Sequence, residues 1–159
     1  MAIGGIGLEA AYRNAVITCG AMAASTVLYA VVVAVMSVAQ APFEGFAGEG
    51  FAGRLETSGL RVALWTLAVF EAGLIGIVRR TLLARSRAGD VSAQARQLVR
   101  TAVITSALAE VPAILGLMLF MLSGLRGDFY ALFALSMALQ ALYFPRLGGW
   151  REWAAEPAP

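Results

Sequence analysis

The sequence of 159 residues contains no histidine, no lysine and only one cysteine. Without histidine, the chain lacks the usual axial ligand of a b-type haem and a ligand that most transition-metal sites use. Cys19 has no second cysteine with which to form a disulfide inside the chain, and we expect it to pack as a small apolar side chain. We therefore expect neither a metal site nor a cofactor.

Enzyme motifs and charged residues are also scarce. The sequence has no P-loop, no GxGxxG fingerprint and no GxSxG turn, so we do not expect an enzyme. Charged residues make up 14% of the chain and hydrophobic residues 60%, whereas about a quarter of the residues in a soluble domain are charged. This composition predicts an integral membrane protein with a single membrane domain over residues 1–159.

Four apolar segments approach the ~20 residues that a helix needs to cross a bilayer. They lie at residues 15–39, 61–78, 101–124 and 129–144. These segments predict an all-α, four-helix membrane bundle. Similar sequences open the first and third segments, RNAVIT at 13–18 and RTAVIT at 100–105. This repeat favours two tandem helical hairpins, unless it arose by chance in helices rich in alanine and valine.

The arginines predict how the spans are oriented. Half of the twelve basic residues lie in residues 79–100, between the second and third spans. Because cytoplasmic loops collect arginine, this loop should be cytoplasmic, and Arg13, Arg146 and Arg151 place both termini on the same side. We expect a multi-pass protein of the bacterial inner membrane. The arginines that give the chain its small positive charge are explained by the orientation of the spans and by contact with anionic headgroups. We therefore expect no nucleic-acid partner.

Small side chains recur along the third span at spacings of four and three residues, which places them on one stripe of a helix. They are Ala102, Ser106, Ala109, Ala113 and Gly116. A stripe of this kind lets the backbone of another helix approach closely. We predict a packing face, used inside the chain or between copies of it.

Glu110 and Pro112 interrupt the middle of this apolar span. A carboxylate at that depth costs several kcal/mol and by default marks a functional site. Pro112 cannot donate its backbone N–H, so the Leu108 carbonyl loses its helical partner and the helix is expected to bend. The carboxyl group and the free carbonyl together predict a site for a proton or a cation.

Glu71 in the second span is expected at nearly the same depth as Glu110, because it lies eight residues from Arg79 while Glu110 lies ten from Arg100. Two carboxyl groups close together in a low dielectric cannot both ionise cheaply. Other polar side chains predict a layer at this level if their faces converge: Ser25, Thr26, Ser136 and Gln140. Alternatively, each carboxyl group only donates a hydrogen bond across the bundle, and for Glu71 this role is favoured.

Residues 98–122, LVRTAVITSALAEVPAILGLMLFML, resemble the carboxylate-bearing helix of the proteolipid (c) subunits of rotary ATP synthases. In that family the acidic residue is followed by a Pro/Ala-Ala-Ile-x-Gly-Leu pattern, so the resemblance implies that Glu110 carries the ion. The second span departs from the family because it lacks alternating glycines and contains Trp65 and Phe70. The order of the spans and the ending FPRLGGW also resemble a set of small bacterial four-helix membrane proteins, which implies no activity.

Two functions remain open from the sequence. The first is a small proteolipid-like membrane subunit that binds a proton or sodium ion at Glu110, with Glu71 as the second carboxyl group of the site. The second is a structural accessory subunit without a transport role, in which Glu110 makes only a hydrogen bond. In both cases the expected partners are the lipid bilayer and other membrane subunits or further copies of the chain.

Overall fold

The described part of the chain is helical throughout. A computed structural model describes residues 3–41, 43–47, 57–84 and 91–155, and these ranges contain helices but no strand. The helices are α1 (Ile3–Ala39), α2 (Thr57–Ala84), α3 (Val91–Ser123), α4 (Arg126–Tyr143) and α5 (Leu147–Ala155). The all-α prediction is confirmed.

Three of the helices are long and apolar enough to cross a membrane, over Gly7–Ala39, Gly59–Ala84 and Ser92–Ser123. A fourth span requires α4 and α5 to be counted as one, and these two helices meet at an angle of 51°. Pro145 lies in the break between them, and proline disfavours a helical conformation in the residue before it. Three helices that could span a membrane are therefore present, while a bundle of four spans is not confirmed.

The connection predicted at residues 79–100 is largely helical. Helix α2 continues to Ala84 and α3 already begins at Val91; residues 85–90 lie outside the described ranges. Hydropathy marks where the bilayer ends, but arginine is a good helix former, so the helices continue beyond the apolar segments. Gln97 Nε2 donates a hydrogen bond to the Leu82 carbonyl at 2.8 Å and ties the two extensions together.

Helix α3 is the centre of the packing. It packs against α1, α2 and α4, whereas α1 and α2 barely touch each other. Helices α3 and α4 form a helical hairpin, joined by Gly124 and Leu125. The first two helices do not pair in this way, so the prediction of two tandem hairpins is not confirmed.

The stripe of small residues explains why α3 lies at the centre. Ala109 and Ala113 are fully buried. A Cβ atom on Gly116 would lie 3.0 Å from the Leu132 Cβ atom and 3.3 Å from the Phe129 backbone, so α4 approaches α3 closely there. The predicted packing face is therefore used inside the chain.

One end of the molecule brings together the start of α1, the end of α2, the start of α3, and α5. Ala15, Leu98 and Trp150 form its buried cluster, and Leu83 packs against them. The helix ends that meet here carry Arg13, Arg79, Arg80, Arg96, Arg100, Arg146 and Arg151. We refer to this end as the arginine-rich end.

At the opposite end, residues 43–47 pack on the end of α3. The Phe46 N–H donates to the Met121 carbonyl at 2.7 Å, which satisfies one of the carbonyls left free at the helix end. Gly124 follows α3 with a φ of +71°, and a Cβ atom there would collide with the Phe43 carbonyl oxygen. The close approach of residues 43–47 to the end of α3 therefore requires glycine at position 124.

Replacing Gly124 with alanine should therefore lower the free energy of unfolding by about 2 kcal/mol, because a side chain disfavours positive φ and meets the crossing segment. Thermal unfolding of the protein in detergent measures the effect. Gly127→Ala is the matched control, since a Cβ atom at this helical position has no neighbour within 4 Å. Equal stability of the two variants would contradict the close crossing.

Candidate functional site

Glu110 is buried inside the protein and contacts α1. Its side chain is 9% exposed. Tyr29 Oη donates a hydrogen bond to Glu110 Oε1 at 2.7 Å, and Ser25 Oγ lies 2.8 Å from the same oxygen. Ser25 Oγ also lies 2.7 Å from the Met22 carbonyl, so its single proton is shared between these two acceptors. The other carboxyl oxygen, Oε2, has no hydrogen-bond donor in the described part of the chain. One oxygen is thus held by two hydroxyls, and the second remains open to a proton or cation.

A second set of polar groups lies beside the first. Gln140 Nε2 donates to Thr26 Oγ1 at 2.8 Å and to Ser136 Oγ at 3.4 Å. The Thr26 hydroxyl donates to the Met22 carbonyl at 3.1 Å, and the Ser136 hydroxyl donates to the Ala109 carbonyl at 2.6 Å. Since residues 25 and 26 and residues 109 and 110 are neighbours, both sets form one polar layer across α1, α3 and α4.

The amide orientation of Gln140 follows from these bonds. Both hydroxyls use their protons on backbone carbonyls, so they can only accept hydrogen bonds from the Gln140 amide nitrogen. Gln140 Oε1 is consequently left buried without a hydrogen-bond partner. A buried oxygen of this kind is costly unless a donor or a cation reaches it.

Pro112 lies inside the continuous helix α3, in its fully buried part. Because it has no N–H, the Leu108 carbonyl receives no helical hydrogen bond. The next carbonyl, that of Ala109, accepts the Ser136 hydroxyl from α4. Pro112 therefore lies next to the backbone carbonyl through which α3 joins the polar layer.

Glu71 is half-buried on α2, and no hydrogen bond or ion pair joins it to another described residue. Ala72 and Gly76 face α4 through Leu139 and Tyr143. Glu71 lies ~100° from Ala72 and ~140° from Gly76 around the helix, so it points away from α4. Glu71 does not join the hydrogen-bonded layer.

No arginine within the described ranges forms an ion pair with Glu110. The ion pairs of the described residues are Arg61 with Asp128 at 2.9 Å and Arg151 with Glu9 at 2.6 Å. Asp128 also accepts a hydrogen bond from Trp65 Nε1 at 3.1 Å, which fastens α4 to α2 at the end opposite the arginine-rich end. Glu110 thus differs from Asp128, whose charge is balanced.

Tyr29 was missed by the sequence analysis, although its pattern was present. Ser25 and Tyr29 are four residues apart and share one face of α1. A tyrosine in the middle of a span, away from the interfacial belt, needs a partner for its hydroxyl. That requirement is the signal that could have paired Tyr29 with Glu110.

The likeness to proteolipid subunits rests on residues 98–122 and their motif. The structure places Glu110, Pro112 and Gly116 of that motif at the buried centre of α3. This position suits a site but does not identify a family. Comparison with protein-family models, with curated proteins and with solved structures finds no match to this chain.

Proposed function

We propose that this chain is a small, proteolipid-like membrane subunit that binds and releases a proton or a sodium ion at Glu110. It would work inside a larger membrane complex. The observation that carries the proposal is a buried carboxyl group at mid-span with the hydroxyls of Ser25 and Tyr29 against one oxygen and no cationic partner among the described residues.

Charge compensation favours ion binding. A carboxylate in a low dielectric is costly unless a cation or hydrogen bonds compensate it. Ser25 and Tyr29 supply part of this compensation, and a proton or sodium ion on Oε2 would supply the rest. Gln140 Oε1, without a donor in the same polar layer, offers a further oxygen, and sodium prefers oxygen ligands as other hard cations do.

Access to the site follows from the gap between α1 and α2. Ala107, Ile114 and Met118 of α3 are exposed on the stripe between these two helices. Glu110 lies ~60° around α3 from Ala107, on the side of α1. A partner subunit seated in this groove would therefore lie next to the carboxyl group.

The arginine-rich end supports a cytoplasmic position for that end, because arginine collects on the cytoplasmic side of a membrane. Both the start of α1 and helix α5 lie there. In the proposed orientation the two termini are cytoplasmic and the membrane is the bacterial inner membrane.

Carbodiimide labelling tests the proposal, because carbodiimides react with protonated carboxyl groups in apolar surroundings. The purified protein in detergent is labelled from about pH 5 to about pH 9, with and without sodium, and mass spectrometry reads Glu110 and Glu71 separately. We expect Glu110 to be labelled selectively and sodium or high pH to suppress its labelling. Labelling that is absent, or equal at both residues without ion dependence, would contradict ion binding.

A structural accessory role is the second candidate, and in that case the exposed apolar faces of α1 and α2 are available to a partner as well as to lipid. Val35 and Val38 on α1 and Val69 and Phe70 on α2 are largely exposed. Since the small-residue stripe is used inside the chain, a partner would bind these outer faces instead. Phe70→Ser should then abolish co-purification of the partner, whereas Glu110→Gln should leave it unchanged.

A further inference from the structure

A cavity of about 460 Å³ lies at the arginine-rich end. Its walls come from the ends of α2 and α4, the beginning of α3, and α5, and they include Arg79, Thr101, Tyr143, Arg146 and Trp153. The volume falls within the range of small-molecule sites, about 300 to 1,000 Å³. The cavity is separate from Glu110, which does not line it.

Two residues of the wall each have a polar side-chain atom without a partner in the described part of the chain. Thr101 is 3% exposed, and its Oγ1 atom is buried without a hydrogen bond to any described residue. The Nε1 atom of Trp153 is likewise buried and unpartnered. The indole N–H is only a donor, while the threonine hydroxyl can donate or accept. A ligand that satisfies both must present acceptor oxygens.

The charges of the wall specify an anion. Arg79, Arg146 and Glu152 are the charged residues of the wall, so the lining carries a net charge of +1. The Arg79 guanidinium lies 5.6 Å from the centre of the Tyr143 ring, a cation–π contact that holds it at the cavity. Arg151 is already paired with Glu9 and does not contribute. One phosphodiester, with a single negative charge and only acceptor oxygens, matches this wall.

We propose that this cavity binds a phosphodiester group. Arg79 and Arg146 neutralise its charge, and Thr101 Oγ1 and Trp153 Nε1 donate hydrogen bonds to its oxygens. Trp150 and Trp153 are the aromatic side chains that settle at headgroup level, so a phospholipid headgroup can reach the cavity from the membrane. A soluble glycerophosphodiester would use the same contacts.

Native mass spectrometry of the full-length protein in detergent tests the assignment with phosphatidylglycerol as the probe. We expect bound phosphatidylglycerol, and an affinity at least about tenfold lower in the Arg79→Gln/Arg146→Gln double variant, since hydrogen bonds to charged groups are lost. Arg80→Gln is the matched control, because Arg80 is the exposed neighbour of Arg79 and does not line the cavity. Equal binding by all three proteins would overturn the proposal.

Soluble glycerophosphoglycerol, added as a competitor, distinguishes a phospholipid headgroup from a soluble phosphodiester as the ligand. Lipid that resists the competitor indicates a membrane headgroup, and lipid that it displaces indicates a site for soluble phosphodiesters; both results support the cavity. Failure of both compounds to bind would overturn it.

Thr101→Val gives a further readout that a purely structural threonine would not produce. We expect this variant to bind the lipid about fivefold more weakly, through the loss of one hydrogen bond, while its lipid-free form becomes more thermostable because an unsatisfied hydroxyl is removed. Unchanged lipid affinity in this variant would exclude Thr101 from the site. A result at this cavity leaves the proposal for Glu110 untouched, because different residues form the two sites.

Discussion

Glu110→Gln should abolish ion binding by the purified protein while leaving its fold intact. We expect a loss of affinity for sodium, or of reversible protonation, of at least about a hundredfold, which corresponds to ~2.7 kcal/mol. The melting temperature should change by only a few degrees. This is the largest functional effect that we expect from any single substitution in the chain.

The physical reason lies in the two hydroxyls of α1. A glutamine at position 110 keeps a carbonyl oxygen that can accept the hydrogen bonds of Ser25 and Tyr29. The amide brings no negative charge and takes up no proton near neutral pH. Packing of α1 against α3 is therefore retained, while the group that would hold the ion is removed.

Isothermal titration calorimetry with sodium and infrared difference spectra of the carboxylic acid band measure the two forms of binding. Glu71→Gln is the matched control, because it removes a carboxyl group at a similar depth that makes no hydrogen bond to another described residue. Wild-type binding by Glu110→Gln would exclude Glu110 as the ion carrier. Wild-type binding by Glu71→Gln would show that the site needs only one carboxyl group.

Gly116→Leu should prevent α3 and α4 from packing and lower the free energy of unfolding by about 3 kcal/mol. The Cβ atom alone would lie 3.0 Å from the Leu132 Cβ atom and 3.3 Å from the Phe129 carbonyl oxygen. The remaining leucine atoms have no space between the helices. Close backbone contact of this kind is a main source of helix association in lipid, so the loss is not compensated elsewhere.

Thermal or denaturant unfolding in detergent measures this effect. Gly73→Leu is the matched control, because Gly73 lies in α2 at an exposed position where a Cβ atom has no neighbour within 4 Å. The control should be as stable as the wild type or slightly more stable, since leucine favours a helix over glycine. If both variants unfold alike, α3 and α4 do not meet at Gly116.

Composition and helical spacing were sufficient for the fold class and for the interior of α3. A low charged fraction and long apolar runs are what a membrane requires of its helices, so the three candidate spans could be predicted from the sequence. The stripe through Ala109 and Gly116 has a fixed helical phase, so its shared face was also predictable. Whether this face packs inside the chain or against another copy was not predictable, because it depends on which helix lies opposite it.

Helix ends and helix neighbours were not predictable in the same way. Hydropathy cannot locate where a helix ends outside the apolar region, so the helical extensions at residues 79–84 and 91–100 were read as a loop. Depth alone placed Glu71 level with Glu110, but whether the two carboxyl groups share partners depends on the rotation of α2, which packing determines. Tyr29 reached Glu110 only because α1 lies beside α3, a neighbour relation that local sequence does not contain.

The central position of α3 also constrains the order in which the molecule can be built. The chain emerges from the ribosome with α1 and α2 first, yet neither finds a packing partner until α3 has been made, because these two helices barely touch. Each satisfies its own backbone hydrogen bonds and can stay in lipid as a separate helix. Packing of α3 against α1 and α2 is therefore the step that converts independent helices into a folded protein.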